Sequence, residues 1–129
     1  MRTRRSSSTL QWLAADERRV LADSVRVADS FWKRLIGLQF AASLPGGQVL
    51  WLRDCRSVHT AWMRFAIDVY FLDATFRIVD ARRNVPPWRI VRPRSPHARH
   101  VVEARSLEAA ERLTVGLQTV FEACREDTP

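Results

Sequence analysis

In FAIDVYFLD, Phe65, Ile67, Val69 and Phe71 alternate with Ala66, Asp68, Tyr70 and Leu72. Both sets are largely apolar, as a strand covered on two faces requires, so a central strand is predicted over 65–72. The short Asp73-Ala74-Thr75 connection and the returning run 76–81 complete a predicted β-hairpin. QVLWLR predicts another strand, with Val49 and Trp51 on one face and Leu50 and Leu52 on the other. Further strands are expected around Val25 and Val27, over 100–104 and over 117–123.

Two stretches carry a helical period instead. Phe31, Leu35 and Leu38 repeat behind an Asp29 or Ser30 cap. Ser106 caps LEAAERL, whose Leu107, Ala110 and Leu113 would face inward before an end near Gly116. The expected fold is therefore α+β: a compact, mainly antiparallel or barrel-like sheet of about six strands with two short helices.

The chain has 129 residues, of which 47% are hydrophobic, enough for one domain with a real core. Residues 1–15 read as a flexible N-terminal tail, 16–124 as a single globular domain and 125–129 as a C-terminal tail. No apolar run reaches the roughly 20 residues of a membrane-spanning helix. The basic N-terminus lacks the apolar segment of a secretory signal, so a cytoplasmic protein is expected. Cys55 and Cys124 then read as thiols rather than a disulfide framework.

Charge changes the picture at one place. The net charge is +7, and Lys33 is the only lysine among 21 basic residues. That bias reflects GC-rich arginine codons in part, so the total decides little. Its distribution says more. Residues 82–99 hold four of the six prolines and no acidic residue, and read as a long structureless connection. Arg82, Arg83, Arg89, Arg92 and Arg94 make it a candidate polyanion surface, with Arg99 beyond them and Trp88 as a stacking platform. A solvated arginine loop is preferred over nucleic-acid binding, with Trp88 packed beneath it as an apolar anchor.

VHTAWMRFAIDVYFLD resembles the signature of the domain-of-unknown-function 192 family of small bacterial and archaeal proteins. His59, Thr60, Met63, Ile67, Asp68, Phe71, Leu72 and Asp73 match it. Arg34, Gly37 and Leu38 match an earlier Arg-x-x-Gly-Leu motif; Val85, Pro86 and Trp88 resemble a proline–tryptophan turn, and Val102-Glu103 a Leu-Glu pair. The similarity spans roughly 20–122. Two positions depart: Ala104-Arg105-Ser106-Leu107 replaces a Leu-Pro-Ala-Gly, and Gly116-Leu117 replaces a Gly-Asp, losing an acid. The resemblance implies a small mixed-sheet fold and no established activity.

Within that signature Asp68 and Glu103 are carboxylates in apolar strands, where an ionised group needs a partner. Asp68 reads first as a structural lock on backbone amides or on the Arg34 guanidinium, which can fork onto both oxygens. His59, Thr60, Asp68, Glu103 and Arg34 together form the candidate ligand site. The expected function is a binding or accessory domain holding an unidentified small polar molecule or partner protein there. A hydrolase-type enzyme pairing His59 with a carboxylate is the alternative. No nucleophile elbow, P-loop, dinucleotide fingerprint or His-Glu-x-x-His is present. Cys55, His59, His97 and His100 are zinc-type ligands without a zinc-site spacing, so neither metal nor cofactor is expected.

Overall fold

The computed structural model describes residues 9–28, 47–60, 65–105 and 110–124. They form nine strands: β1 (Thr9–Ala14), β2 (Val20–Ala28), β3 (Gln48–Leu52), β4 (Val58–His59), β5 (Ile67–Leu72), β6 (Ile78–Val85), β7 (Ile90–Val91), β8 (His100–Ala104) and β9 (Thr119–Cys124). Seven join one sheet in the order β6-β5-β8-β3-β2-β1-β9, and β4 with β7 makes a separate two-stranded ribbon. Only β2 and β3 run parallel.

The α+β expectation does not hold. Among the described residues there is no α-helix, only a 3-10 turn at Ala110–Arg112, and the sheet has seven strands. The turn lies inside the stretch expected as a second helix, and Leu113 is buried as that pattern required. The first expected helix, 31–38, lies outside the described residues. Thr9–Ala14, assigned to the tail by its basic context, is a full strand between β2 and β9. The connection 82–99 is also more ordered than expected, because β6 runs through Val85 and β7 pairs with β4.

The hairpin forms where the alternation places it. Asp73 Oδ1 accepts the Thr75 amide at 2.9 Å, the Thr75 hydroxyl at 2.9 Å and the Arg77 amide at 3.0 Å. These bonds close the turn between β5 and β6. Burial would raise the Asp73 carboxyl, but these donors outweigh it and hold the group below its usual value.

Beyond that turn the sheet curls. Its edge strands meet at one end: Arg77 bridges Gln118, and the Ile78 amide donates to the Leu117 carbonyl at 2.9 Å. The concave side gathers Trp12, Val25, Val49, Trp51, Tyr70, Leu72, Ile78 and Val102. Phe121 stacks on Trp51 with centroids 4.0 Å apart and on Trp12 at 5.9 Å, and Phe76 meets Trp51 edge-on. The other face packs Leu50, Leu52, Ile67, Val69, Phe71 and Val101 beneath Val58 and Val91 of the ribbon. The sheet thus has a core on each side.

Candidate functional site

Strand register decides which predicted site residues can meet. On β5, Val69 stands opposite Glu103 and Asp68 opposite Ala104. Paired residues project to the same side of a sheet. Glu103 therefore shares the outer face with Val69 and Leu50, whereas Asp68 shares the concave-side orientation of Tyr70 and Ala104. The two carboxylates do not share a cleft.

Asp68 opposes an irregularity. Between the pairs Ile67–Val85 and Val69–Arg82, strand β6 carries two residues, Arg83 and Asn84, against the single Asp68. Asn84 takes a left-handed φ of 57°, a conformation asparagine tolerates, and its amide leaves the ladder. Asp68 Oδ1 accepts that amide at 2.8 Å, and Oδ2 accepts the Tyr70 hydroxyl at 3.2 Å. The residue is half-buried and bonded to a backbone amide. Burial and the Asp68 charge push the Tyr70 phenol well above its usual range. Arg34, the expected partner, lies outside the described residues, as does Met63.

Glu103 is 4% exposed, and its Oε1 has no hydrogen-bond partner among the described residues. Burial pushes its carboxyl up to about 8, so it is neutral at pH 7. Its side chain lies on the face of the sheet opposite Asp68, so the two carboxyls do not act together.

Thr60 is fully buried and structural. Its hydroxyl donates to the Pro86 carbonyl at 2.8 Å and accepts the Arg89 amide at 2.8 Å. Its own amide donates to the Arg89 carbonyl at 2.8 Å, and its carbonyl accepts the Trp88 amide at 3.0 Å. One threonine thereby clamps the whole 86–89 turn. The backbone of His59 pairs with Ile90; its side chain lies outside the described set. His100 turns inward, against Trp51 and Phe76. Its Nδ1 accepts the Asp54 amide at 3.1 Å, and burial lowers its proton affinity. Among the described residues no three histidine, cysteine or acidic side chains gather at metal-binding distance.

The arginines divide into two groups. Arg82 donates to Asp80 Oδ2 at 3.3 Å and to the Arg92 carbonyl at 2.8 Å. Arg83 donates to the Ala110 and Leu113 carbonyls. Both act as internal ties. Arg92 and Arg94 instead border an open cleft of about 370 Å3, with Arg56, Ser57 and Ser95. An adjoining cleft of about 360 Å3 shares Arg56 and adds Arg99, His97 and Asp73. Arg89 is exposed on the 86–89 turn.

Two residues behind this surface escaped the sequence reading. Asp80 is 2% exposed and anchors the arginine loop from beneath. Its Oδ2 accepts the Arg94 amide at 2.9 Å, and the Arg94 guanidinium stands 3.5 Å from Oδ1. Burial would raise this carboxyl, but the Arg94 amide, Arg82 and the Ala81 amide together hold it below the usual range. Arg56 is the other. The pairing of Val58 with Val91, carried one step further, sets Ser57 opposite Arg92 and brings Arg56 to the cleft. The acid-free run 82–99 signalled one wall; only the ribbon register supplies the second.

Trp88 overturns an expectation. It is 59% exposed rather than packed beneath the loop, and Ile90 beside it is 69% exposed. Val85, Val91 and Ala98 supply the apolar pins instead.

The described residues form a small β domain with a partly closed sheet and an arginine-bordered ribbon on its convex side. The chain belongs to the domain-of-unknown-function 192 family, described as an uncharacterised ACR, whose profile matches residues 12–119. The UPF0127 protein PH1112 of Pyrococcus horikoshii is 43% identical over 82 residues, spanning 61% of this chain and 70% of that protein. The UPF0127 protein PF1050 of Pyrococcus furiosus is 38% identical over 102 residues, spanning 69% and 84%. A crystal structure of a protein of unknown function from Novosphingobium aromaticivorans matches with a TM-score of 0.68 at 17% identity, covering 88% of this chain and 83% of that one. One from Sinorhizobium meliloti, named as a candidate transcription regulator, matches at 0.69 and 20% identity, covering 90% and 92%. At those identities the likeness carries the fold alone. No helix among the described residues is long and apolar enough to cross a membrane.

Proposed function

We propose that this domain binds phosphate-bearing polyanions on the surface formed by 56–57 and 92–99. The observation that carries the reading is the meeting of Arg56, Arg92 and Arg94 with Ser57 and Ser95 around a cleft that no acidic residue lines. Guanidinium groups and hydroxyls are the donors that phosphate oxygens take, and arginine presents them in a planar fork. The net charge of +7 adds long-range attraction for any such partner. Asp68 and Glu103 face opposite sides of the sheet and do not form a paired-carboxylate site.

Binding of a fluorescently labelled inorganic polyphosphate, measured by anisotropy across a salt series, tests this. Arg56, Arg92, Arg94 and Arg99 engaged together on a flexible strand give a log–log slope of about −3. The double variant Arg56→Ala/Arg92→Ala should weaken binding at least tenfold and flatten the slope by about 1.4. Unchanged affinity in that variant would overturn the reading.

A further inference from the structure

We propose that the polyanion is a compact phosphorylated polyol, with its phosphates on Arg56, Arg92 and Arg94 and its free hydroxyls on Asp73 in the adjoining cleft. The inference rests on the polyanion reading above and adds an acidic contact to it.

The two clefts share Arg56 and Pro96 but differ in charge. The first is bordered by Arg56, Arg92 and Arg94, with no acid in its lining. The second sets Asp73 among Arg56, Arg99 and His97. The Arg99 amide donates to the Leu72 carbonyl at 2.7 Å, which ties this segment to the β5–β6 turn and brings Arg99 to the same cleft as Asp73. Yet the fold leaves acid and base apart. Among the described residues no arginine forms an ion pair with Asp73. The Arg77 guanidinium donates instead to the Gly116 carbonyl at 2.7 Å. The described hydrogen bonds to the Asp73 side chain all end on Oδ1, so Oδ2 keeps its acceptor capacity. Burial opposes ionisation of this carboxyl, but the Arg77 and Thr75 amides and the Thr75 hydroxyl outweigh it and keep the group charged at neutral pH.

An ionised carboxylate repels a phosphate and accepts a hydroxyl. A uniform phosphate chain filling the first cleft would meet Asp73 as it passed Arg56. A ligand that joins phosphates to hydroxyl-bearing carbons satisfies both clefts at once. Their volumes, about 370 and 360 Å3, fall in the range of small-molecule sites.

Isothermal calorimetry at low salt tests this with three probes. Fructose 1,6-bisphosphate carries two phosphates and free hydroxyls, hexane-1,6-diol bisphosphate the same phosphates without hydroxyls, and inorganic tripolyphosphate no carbon at all. The parent should bind the sugar bisphosphate about tenfold more tightly than its hydroxyl-free analogue. Asp73→Asn keeps an acceptor oxygen for the turn and removes the charge. It should erase most of that preference and tighten tripolyphosphate about two- to fivefold. Thermal melts check that the variant is folded, and the comparison of probes in the parent decides even if it is not. Equal binding of the two bisphosphates by the parent refutes the polyol while polyanion binding stands. So does a preference that Asp73→Asn leaves intact. If neither these probes nor long-chain polyphosphate bind, both readings fall.

Discussion

Asp80 and Glu103 are equally hidden from water yet live in opposite states. Asp80 sits under the arginine loop and receives two backbone amides and a guanidinium. Glu103 sits on a strand covered by apolar neighbours, with Oε1 unpartnered among the described residues. The first is held ionised and the second is pushed up to about 8. Surface exposure alone thus says little about a carboxylate; its depth and the donors built around it decide. Where donors converge, the charge organises a surface, and where they do not, the proton stays.

Removing Asp80 should have the largest effect. Asp80→Ala strands two amides and the Arg82 guanidinium, and losing one side of a buried charged network costs about 3–5 kcal/mol. Chemical denaturation should show that loss. Polyanion affinity should fall with it, because Arg94 is aligned through Asp80.

Glu103 should show itself through pH. Its folded proton affinity is raised, so its contribution is fully present below pH 4.5 and is lost as pH climbs toward 8. Glu103→Gln cannot ionise and should flatten that decline, which is worth a few kcal/mol across the window. Melting curves at several pH values would read it; identical profiles for parent and variant would sink the neutral-carboxyl account. His100 acts in the other direction. Its lowered proton affinity gives a contribution present above about pH 6.5 and lost as pH falls further.

Removing Asp68 should matter least. Asp68→Ala leaves the Asn84 amide and the Tyr70 hydroxyl without their acceptor, at about 1–3 kcal/mol. A loss as large as that of Asp80→Ala would mean that the bulge, rather than the loop anchor, is the keystone of this half of the sheet.

What was legible in the chain follows the reach of each signal. Alternation is local, so the two faces of β3 and β5 and the Asp73 turn could be read from neighbours alone. Facing across strands is not local. That Asp68 and Glu103 face opposite sides of the sheet depends on the pairing of Val69 with Glu103, which no spacing within either strand encodes. The concave aromatic stack escaped for the same reason, since Trp12 and Phe121 are isolated letters until β1 meets β9. A basic start also disguised β1 as tail. The period-3 apolar spacing of LEAAERL gave a helix, whereas Ala110–Arg112 makes one tight turn whose carbonyls Arg83 caps. Trp88 was misplaced because hydrophobicity argued for burial and nothing in the letters disclosed the Thr60 clamp.

The pairing of β1 with β9 also sets an order of events during synthesis. Thr9 lies against Cys124, and every rung between them joins residues more than a hundred positions apart. At about 5–20 residues per second, β1 waits several seconds to tens of seconds for that partner to leave the ribosome. Until then Trp12 has β2 on one flank and an open ladder on the other. Nascent chains stalled before residue 119 should therefore be the ones that recruit chaperones, and release of the last strand should end that dependence.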